Sequence, residues 1–277
     1  MDIQLSAQQQ AVVDCNEPRI VVKACPGSGK TFSVAACMAR LLRENNLSRH
    51  QGIAAISFTN TACDVIKKEL KETFGYPNVS YPSFIGTIDS FINTYIFLPY
   101  AHLVMGCDCR PEIVGTEFNK WFDYDPTQTR YIRGKHGEKI ITSRDANYYF
   151  DLISFGLNDQ LLRLAPYHAY HFGKADWENP NKKDGSPKKI ISELKHFNAG
   201  KVNQADAIYF TFRILDKYPS IAQNIVRRFP ILIIDEAQDT TELQMAIIDK
   251  LSQCGAESIM LIGDPDQAIF EWNTANP

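Results

Sequence analysis

No stretch of this 277-residue sequence reaches the roughly 18 uninterrupted apolar residues that a membrane-spanning helix requires. The best candidate, residues 91–106, is broken by Asn93, Pro99 and His102. Met1-Asp2-Ile3-Gln4 lacks the basic residues and apolar core of a secretory leader, so a cytoplasmic protein with no membrane partner is expected. Paired cysteine spacing is also missing. The seven cysteines are odd in number and scattered, and Cys107-Asp108-Cys109 with His168 and His171 does not repeat the two-pair spacing of a zinc site. Reduced structural thiols in a reducing compartment are the expectation. There is no dominant charge either: 29 Lys and Arg against 32 Asp and Glu give net −3, so any surface for a polyanion must be local. Repeats and low-complexity tracts are absent. With 44% hydrophobic and 22% charged residues the chain is an ordinary globular protein, long enough for a main body plus a second unit.

What is present is a rhythm of short apolar runs, each followed by turn residues and a helical pattern, which predicts a parallel sheet covered by helices. Ile20-Val21-Val22-Lys23-Ala24 comes first, and behind it Phe32, Ala35, Ala36, Ala39 and Leu42 recur at helical spacing. Residues 53–57 lead into a helix over 62–74, and a third strand is expected near 84–88. Ile231 to Ile234 and Ser258 to Ile262 read as strands covered on both faces. Between them Asp239-Thr240-Thr241-Glu242 predicts a capping box opening a helix that closes near Cys254-Gly255. From about residue 97 to 204 the rhythm is lost. Helices are expected there over 145–155 and 190–197, with a basic segment carrying Lys182, Lys183, Lys188 and Lys189 before the second.

Ala24-Cys25-Pro26-Gly27-Ser28-Gly29-Lys30-Thr31 lies between the first strand and its helix. Glycines there let successive backbone N–H groups turn inward, and the helix N-terminus adds positive potential, so the segment predicts a nucleoside-triphosphate phosphate loop. Ala24, Gly27, Ser28 and Gly29 supply the cradle, Lys30 neutralises the outer phosphates, and the Thr31 hydroxyl ligates Mg2+. Ala24 stands where the general pattern has glycine.

Asp235-Glu236 directly follows the Ile231 to Ile234 run, at the sheet edge where α/β proteins bind ligands. Such a pair is often only a solvated turn, but beside a phosphate loop the roles divide. Asp235 holds Mg2+ and Glu236 orients and deprotonates the attacking water, with Lys30 assisting as a catalytic cation.

Asp235-Glu236-Ala237-Gln238-Asp239-Thr240 resembles motif II of the UvrD/PcrA/Rep family of superfamily 1 DNA helicases. Leu5-Ser6-Ala7-Gln8-Gln9 resembles the family's glutamine motif, which implies that Gln9 recognises adenine; read alone, this run suits a helix surface. Phe58-Thr59-Asn60-Thr61-Ala62 resembles motif Ia and Gly86-Thr87-Ile88-Asp89-Ser90-Phe91 motif Ib, which implies single-stranded DNA contacts at Phe58, Thr59, Asn60, Gly86 and Thr87. Hydroxyl and amide groups suit phosphate, and an aromatic face suits a base, although Phe58 reads equally well as a core residue. Thr61 and Asp89 stand where the family has lysine and histidine, which weakens the expected attraction for DNA. Gly263-Asp264-Pro265-Asp266-Gln267-Ala268-Ile269-Phe270-Glu271-Trp272 resembles motif III, implying that Gln267 senses the γ-phosphate and that Phe270 and Trp272 stack on bases, with core packing of the two rings as the alternative; Asn273 replaces the usual arginine.

The resemblance implies a RecA-like P-loop NTPase domain over residues 1–95 and 205–277, interrupted by a mainly helical domain over 96–204. It implies an ATP-dependent DNA helicase or DNA-dependent ATPase with ATP and Mg2+ as cofactors and single-stranded or partly duplex DNA as partner. In the family a second RecA-like lobe carries later motifs, with arginines worth a factor of roughly 10³ to 10⁵ in phosphoryl transfer. None of those motifs occurs up to Pro277, so a fragment, or a partner protein that supplies the trans-cleft arginine, is expected, and the isolated chain should be a weak ATPase at best. A non-unwinding, nucleotide-gated DNA sensor or defence component is the rival reading. A small-molecule kinase would share only the phosphate loop.

Overall fold

In a computed structural model the described residues are 5–25, 27–44, 46–79, 81–114, 130–134, 137–141, 154–157, 161–162, 182–183 and 197–264. The chain forms two compact units, Met1–Ile92 with Tyr218–Pro277, and Asn93–Lys217.

The first unit is built on a five-stranded sheet. In chain order its elements are α1 (Ala7–Asp14), β1 (Arg19–Lys23), α2 (Lys30–Glu44), β2 (Ile53–Ser57), α3 (Asn60–Glu72), β3 (Phe84–Thr87), α4 (Ile88–Ile92), α5 (Pro219–Arg228), β4 (Ile231–Ile234), α6 (Glu242–Gln253) and β5 (Ser258–Gly263). The described strands run β1-β5-β4-β2-β3 and every pairing is parallel. Ile53, Ala55, Ile233, Met260 and Ile262 join Val34 to Ala39 of α2 and Ile66 and Leu70 of α3 in one core. The alternate residues Ala54, Ile56, Leu232 and Ile234 are buried too, so the central strands are covered on both faces, which their unbroken apolar runs require. On β1 burial alternates instead, and Val21 is 70% exposed.

Local chemistry sets the helix starts. Ser6 accepts from Gln9 N–H and Gln9 returns the bond, a reciprocal capping box that starts α1. The helix after the acidic pair is capped the same way by Thr241 and Gln244, two residues later than expected from Asp239. Asp239 closes a 3-10 turn over Ala237–Asp239, and that turn consumes the residues that the earlier start would have needed.

Among the described residues of the second unit the helical elements are a π-helical turn (Asn93–Phe97), two short helices (Leu98–Tyr100 and His102–Met105), a 3-10 turn (Phe197–Ala199) and the helix Gln204–Lys217. Two-stranded ladders join Glu112–Ile113 with Lys201–Val202, Arg130–Gly134 with Gly137–Ile141, and Ser154–Phe155 with Leu161–Leu162. The helix expected over 145–155 is corrected at its end, because Phe155 lies on a strand and its buried ring stacks on Tyr209 at 4.7 Å. Residues 145–153 and 190–196 lie outside the described residues, and Phe197 opens a 3-10 turn. Among the described residues no helix is long and apolar enough to cross a membrane.

At Gly52 two segments of the first unit approach each other closely. A Cβ there would overlap the carbonyl of Pro82, while Gly52 N–H donates to Arg228 O at 2.8 Å. Gly52→Ala should cost about 1–3 kcal/mol through this overlap, lowering the denaturation midpoint without changing the denaturant slope.

Candidate nucleotide-binding site

Because every strand of the sheet is parallel, all five C-terminal ends meet at one edge. Lys23 pairs with Gly263, Ile234 with both Leu261 and Ile56, and Ser57 with Thr87. The residues that follow each strand therefore share that edge. They are the phosphate loop after β1, Phe58, Thr59 and Asn60 after β2, Asp235 and Glu236 after β4, and Asp264 after β5.

The loop after β1 has the backbone freedom its sequence promises. Gly27 and Gly29 adopt φ of +72° and +79°, values that side-chain-bearing residues rarely take. Ser28 N–H closes a turn onto Cys25 O at 3.2 Å, and α2 begins at Lys30. Ala24 is anchored by its N–H to Gly263 O at 3.0 Å. Gln9 lies over the loop, its Nε2 donating to Ser28 O at 3.2 Å while Oε1 accepts from Ser6 N–H at 3.0 Å. A Cβ on Gly29 would come within 2.7 Å of that Nε2, so glycine permits this approach.

The acidic pair meets the loop directly. Thr31 Oγ1 donates to Asp235 Oδ2 at 3.1 Å, and Lys30 Nζ lies 3.4 Å from Glu236 Oε2 with the lysine side chain only 8% exposed. Asp235 N–H extends the ladder to Ile56 O at 2.8 Å, which places its carboxylate at the end of β4. Glu236 then turns into the left-handed region at φ +53°, alone in this among the described non-glycine residues. Its N–H donates to Asp235 Oδ1 at 3.1 Å. Burial pushes the Asp235 carboxyl up to about 6, the charge of Glu236 adds to the rise, and the Thr31 hydroxyl, the Glu236 amide and Lys30 pull it back.

Two hard oxygen donors, the Thr31 hydroxyl and the Asp235 carboxylate, thus sit together beside a cation and a second carboxylate. Oxygen ligands of this kind suit Mg2+. A glycine loop, a buried lysine and an acidic pair at the carboxyl edge of a parallel sheet define the P-loop NTPase class with a RecA-like body. The chain belongs to the UvrD/REP helicase N-terminal domain family, whose model matches residues 5–277. It is 24% identical over 276 residues to the ATP-dependent DNA helicase PcrA of Bacillus subtilis, covering 98% of this chain and 34% of the relative. It is 25% identical over 274 residues to DNA helicase II of Escherichia coli, covering 98% and 35% respectively. The chain spans about a third of the length of these relatives.

At the expected DNA positions the structure assigns the threonines a further duty. Thr59 caps α3 by accepting from Ala62 N–H, and Thr87 accepts from Ser90 N–H at the head of α4. Phe58, Gly86 and Thr87 are half-buried, and Asn60 is exposed as the first residue of α3. Gln267, Phe270 and Trp272 lie outside the described residues. Sequence reasoning assigned no role to Gln238, which bonds Glu236, or to Gln244, which donates to Asp89 at 3.1 Å. Neither glutamine has a signal beyond its place in a longer string.

The raised carboxyl of Asp235 makes the metal-free chain pay for ionising it. With the folded value near 6 and the ordinary value 3.8, this penalty is absent below pH 3.8 and complete above about 6. Asp235→Asn should therefore gain stability relative to the parent as pH rises from 4 to 7, by on the order of 1–2 kcal/mol. Melting curves of the two proteins across that range, without divalent cation, check the sign.

Proposed function

We propose that this chain is the ATP-binding lobe of a UvrD-like DNA helicase, which in the complete protein couples ATP hydrolysis to movement along single-stranded DNA and to unwinding. The observation that carries the reading is the joint contact of the loop with the acidic pair, Lys30 with Glu236 and Thr31 with Asp235. The names of the relatives, ATP-dependent DNA helicase PcrA and DNA helicase II, point the same way.

In this reading the backbone of Ala24, Gly27, Ser28 and Gly29 cradles the phosphates, and Lys30 turns from Glu236 to the outer phosphate oxygens. Gln9 keeps one amide hydrogen and one lone pair beyond its bonds to Ser28 and Ser6, a donor and acceptor matched to the edge of adenine. Thr31 and Asp235 hold Mg2+, which neutralises charge on the triphosphate. Glu236, released from Lys30, accepts the proton of the attacking water, and Gln267 contacts the γ-phosphate. An arginine from a second lobe, in the same polypeptide or a partner, completes the charge stabilisation. Phe58, Thr59, Asn60, Gly86, Thr87, Phe270 and Trp272 face single-stranded or partly duplex DNA. The setting is cytoplasmic.

Titration of this chain with a fluorescent ATP analogue and Mg2+ tests the nucleotide site. Lys30→Ala should weaken binding by about 100-fold or more through loss of its charge-assisted contacts, and parent-like affinity in that variant would overturn the assignment. Glu236→Gln should keep the affinity within about threefold while turnover falls by roughly 10² to 10⁴. For the complete protein, a strand-displacement assay decides the purpose of hydrolysis. DNA-stimulated turnover without unwinding would move the assignment to a nucleotide-gated DNA sensor.

A further inference from the structure

We propose that Gln238 is a positioning residue that ties the Glu236 carboxylate to the single peptide unit between Gly263 and Asp264, so that a change of contacts at Glu236 reaches the backbone leaving β5. The tie is geometric, and its use during hydrolysis rests on the ATP-site reading above.

The carboxamide of Gln238 is buried, and both ends of it are engaged. Its Nε2 donates to Glu236 Oε2 at 2.8 Å and more weakly to Asp239 Oδ2 at 3.4 Å. Its Oε1 accepts from Asp264 N–H at 2.9 Å. The other face of the same peptide is held by the phosphate loop, because Gly263 O accepts from Ala24 N–H. One peptide plane is thus clamped between the start of the loop and the residue that holds the acid. Gly263 makes the approach possible, since a Cβ there would lie 2.5 Å from Gln238 Oε1 and 3.2 Å from Gln238 N.

The clamp needs an amide. A glutamate would add a carboxylate beside Glu236 and Asp239 and lose the donor, whereas lysine or arginine would have no acceptor for Asp264 N–H. Glu236 Oε2 is also the atom facing Lys30, so the lysine and Gln238 share one oxygen. When triphosphate draws Lys30 away, Glu236 is left with Gln238 as its neighbour in this pair, and the adjustment passes through the amide to the Gly263–Asp264 peptide. That peptide leaves the end of β5, so the link runs from the acid to the strand end that also holds the start of the phosphate loop.

The amide resonance of Asp264 in 15N spectra of this chain provides the test. Without nucleotide, Glu236→Ala should move that resonance in the parent and leave it unmoved in a Gln238→Leu background. Gln238→Leu alone should speed Asp264 amide exchange by about 5- to 10-fold, the loss of one hydrogen bond, whereas Gln238→Glu, which keeps the acceptor, should hold the exchange near parental rates. An equal response to Glu236→Ala with and without Gln238, or none in either, overturns the proposal. With ATP and Mg2+, Gln238→Glu should bind within about threefold of the parent and turn over about 10- to 100-fold more slowly through misplacement of the acid. Failure of the parent to bind ATP would sink the function proposed above while leaving the nucleotide-free spectra to decide the clamp.

Discussion

The site depends on one constraint, the parallel register that sets β1, β5 and β4 side by side with their ends slightly staggered. Lys23 faces Gly263, two residues beyond the Leu261 that faces Ile234. This stagger lets Ala24 reach Gly263 O and puts Asp235 beside Thr31. In a strand a slip of one residue exchanges the two faces. Here it would move Ile233 out of the core shared with α2 and point the following carboxylates away from the loop. Packing of the buried alternate residues and placement of the acidic pair are therefore specified together.

Electrostatics sharpen what register begins. Burial at the end of β4 and, after it, the neighbouring charge of Glu236 make the Asp235 carboxyl resist ionisation. Lys30 and Thr31 lessen that conflict without removing it, and Glu236 adds a left-handed backbone conformation that costs about 1–2 kcal/mol. The strain and the unresolved charge lie at the edge where cationic magnesium and anionic phosphate are proposed to bind. Strain and like charge that an incoming cation and anion would relieve suit a ligand site better than a structural one.

Much of this was legible in the residues, and the parts that were not share a cause. Apolar runs such as Ile231 to Ile234 locate strands because burial on both faces leaves no room for polar residues, and Gly27 and Gly29 announce their turns because left-handed backbone needs them. α6 starts two residues later than its sequence suggests, since Asp239 and Thr241 are both good caps and only the intervening 3-10 turn chooses between them. Ser154–Phe155 took a strand because a ladder with Leu161–Leu162 and stacking on distant Tyr209 outweighed local helical spacing. The bonds of Gln238 connect residues separated by 26 positions, which no local pattern encodes.

The departure at Asp89 gains a different meaning from its surroundings. Set against DNA alone, an acid at this position is only a repulsive charge. Asp89 Oδ1 accepts from Gln244 Nε2, however, and the other end of the Gln244 amide accepts from Thr241 N–H in the box that starts α6. The carboxylate thus joins α4 to α6, within one unit. Neither a neutral nor a charged histidine would offer Gln244 the same anionic acceptor. The bond between Asp89 and Gln244 gives an acid at position 89 a structural use that does not depend on DNA.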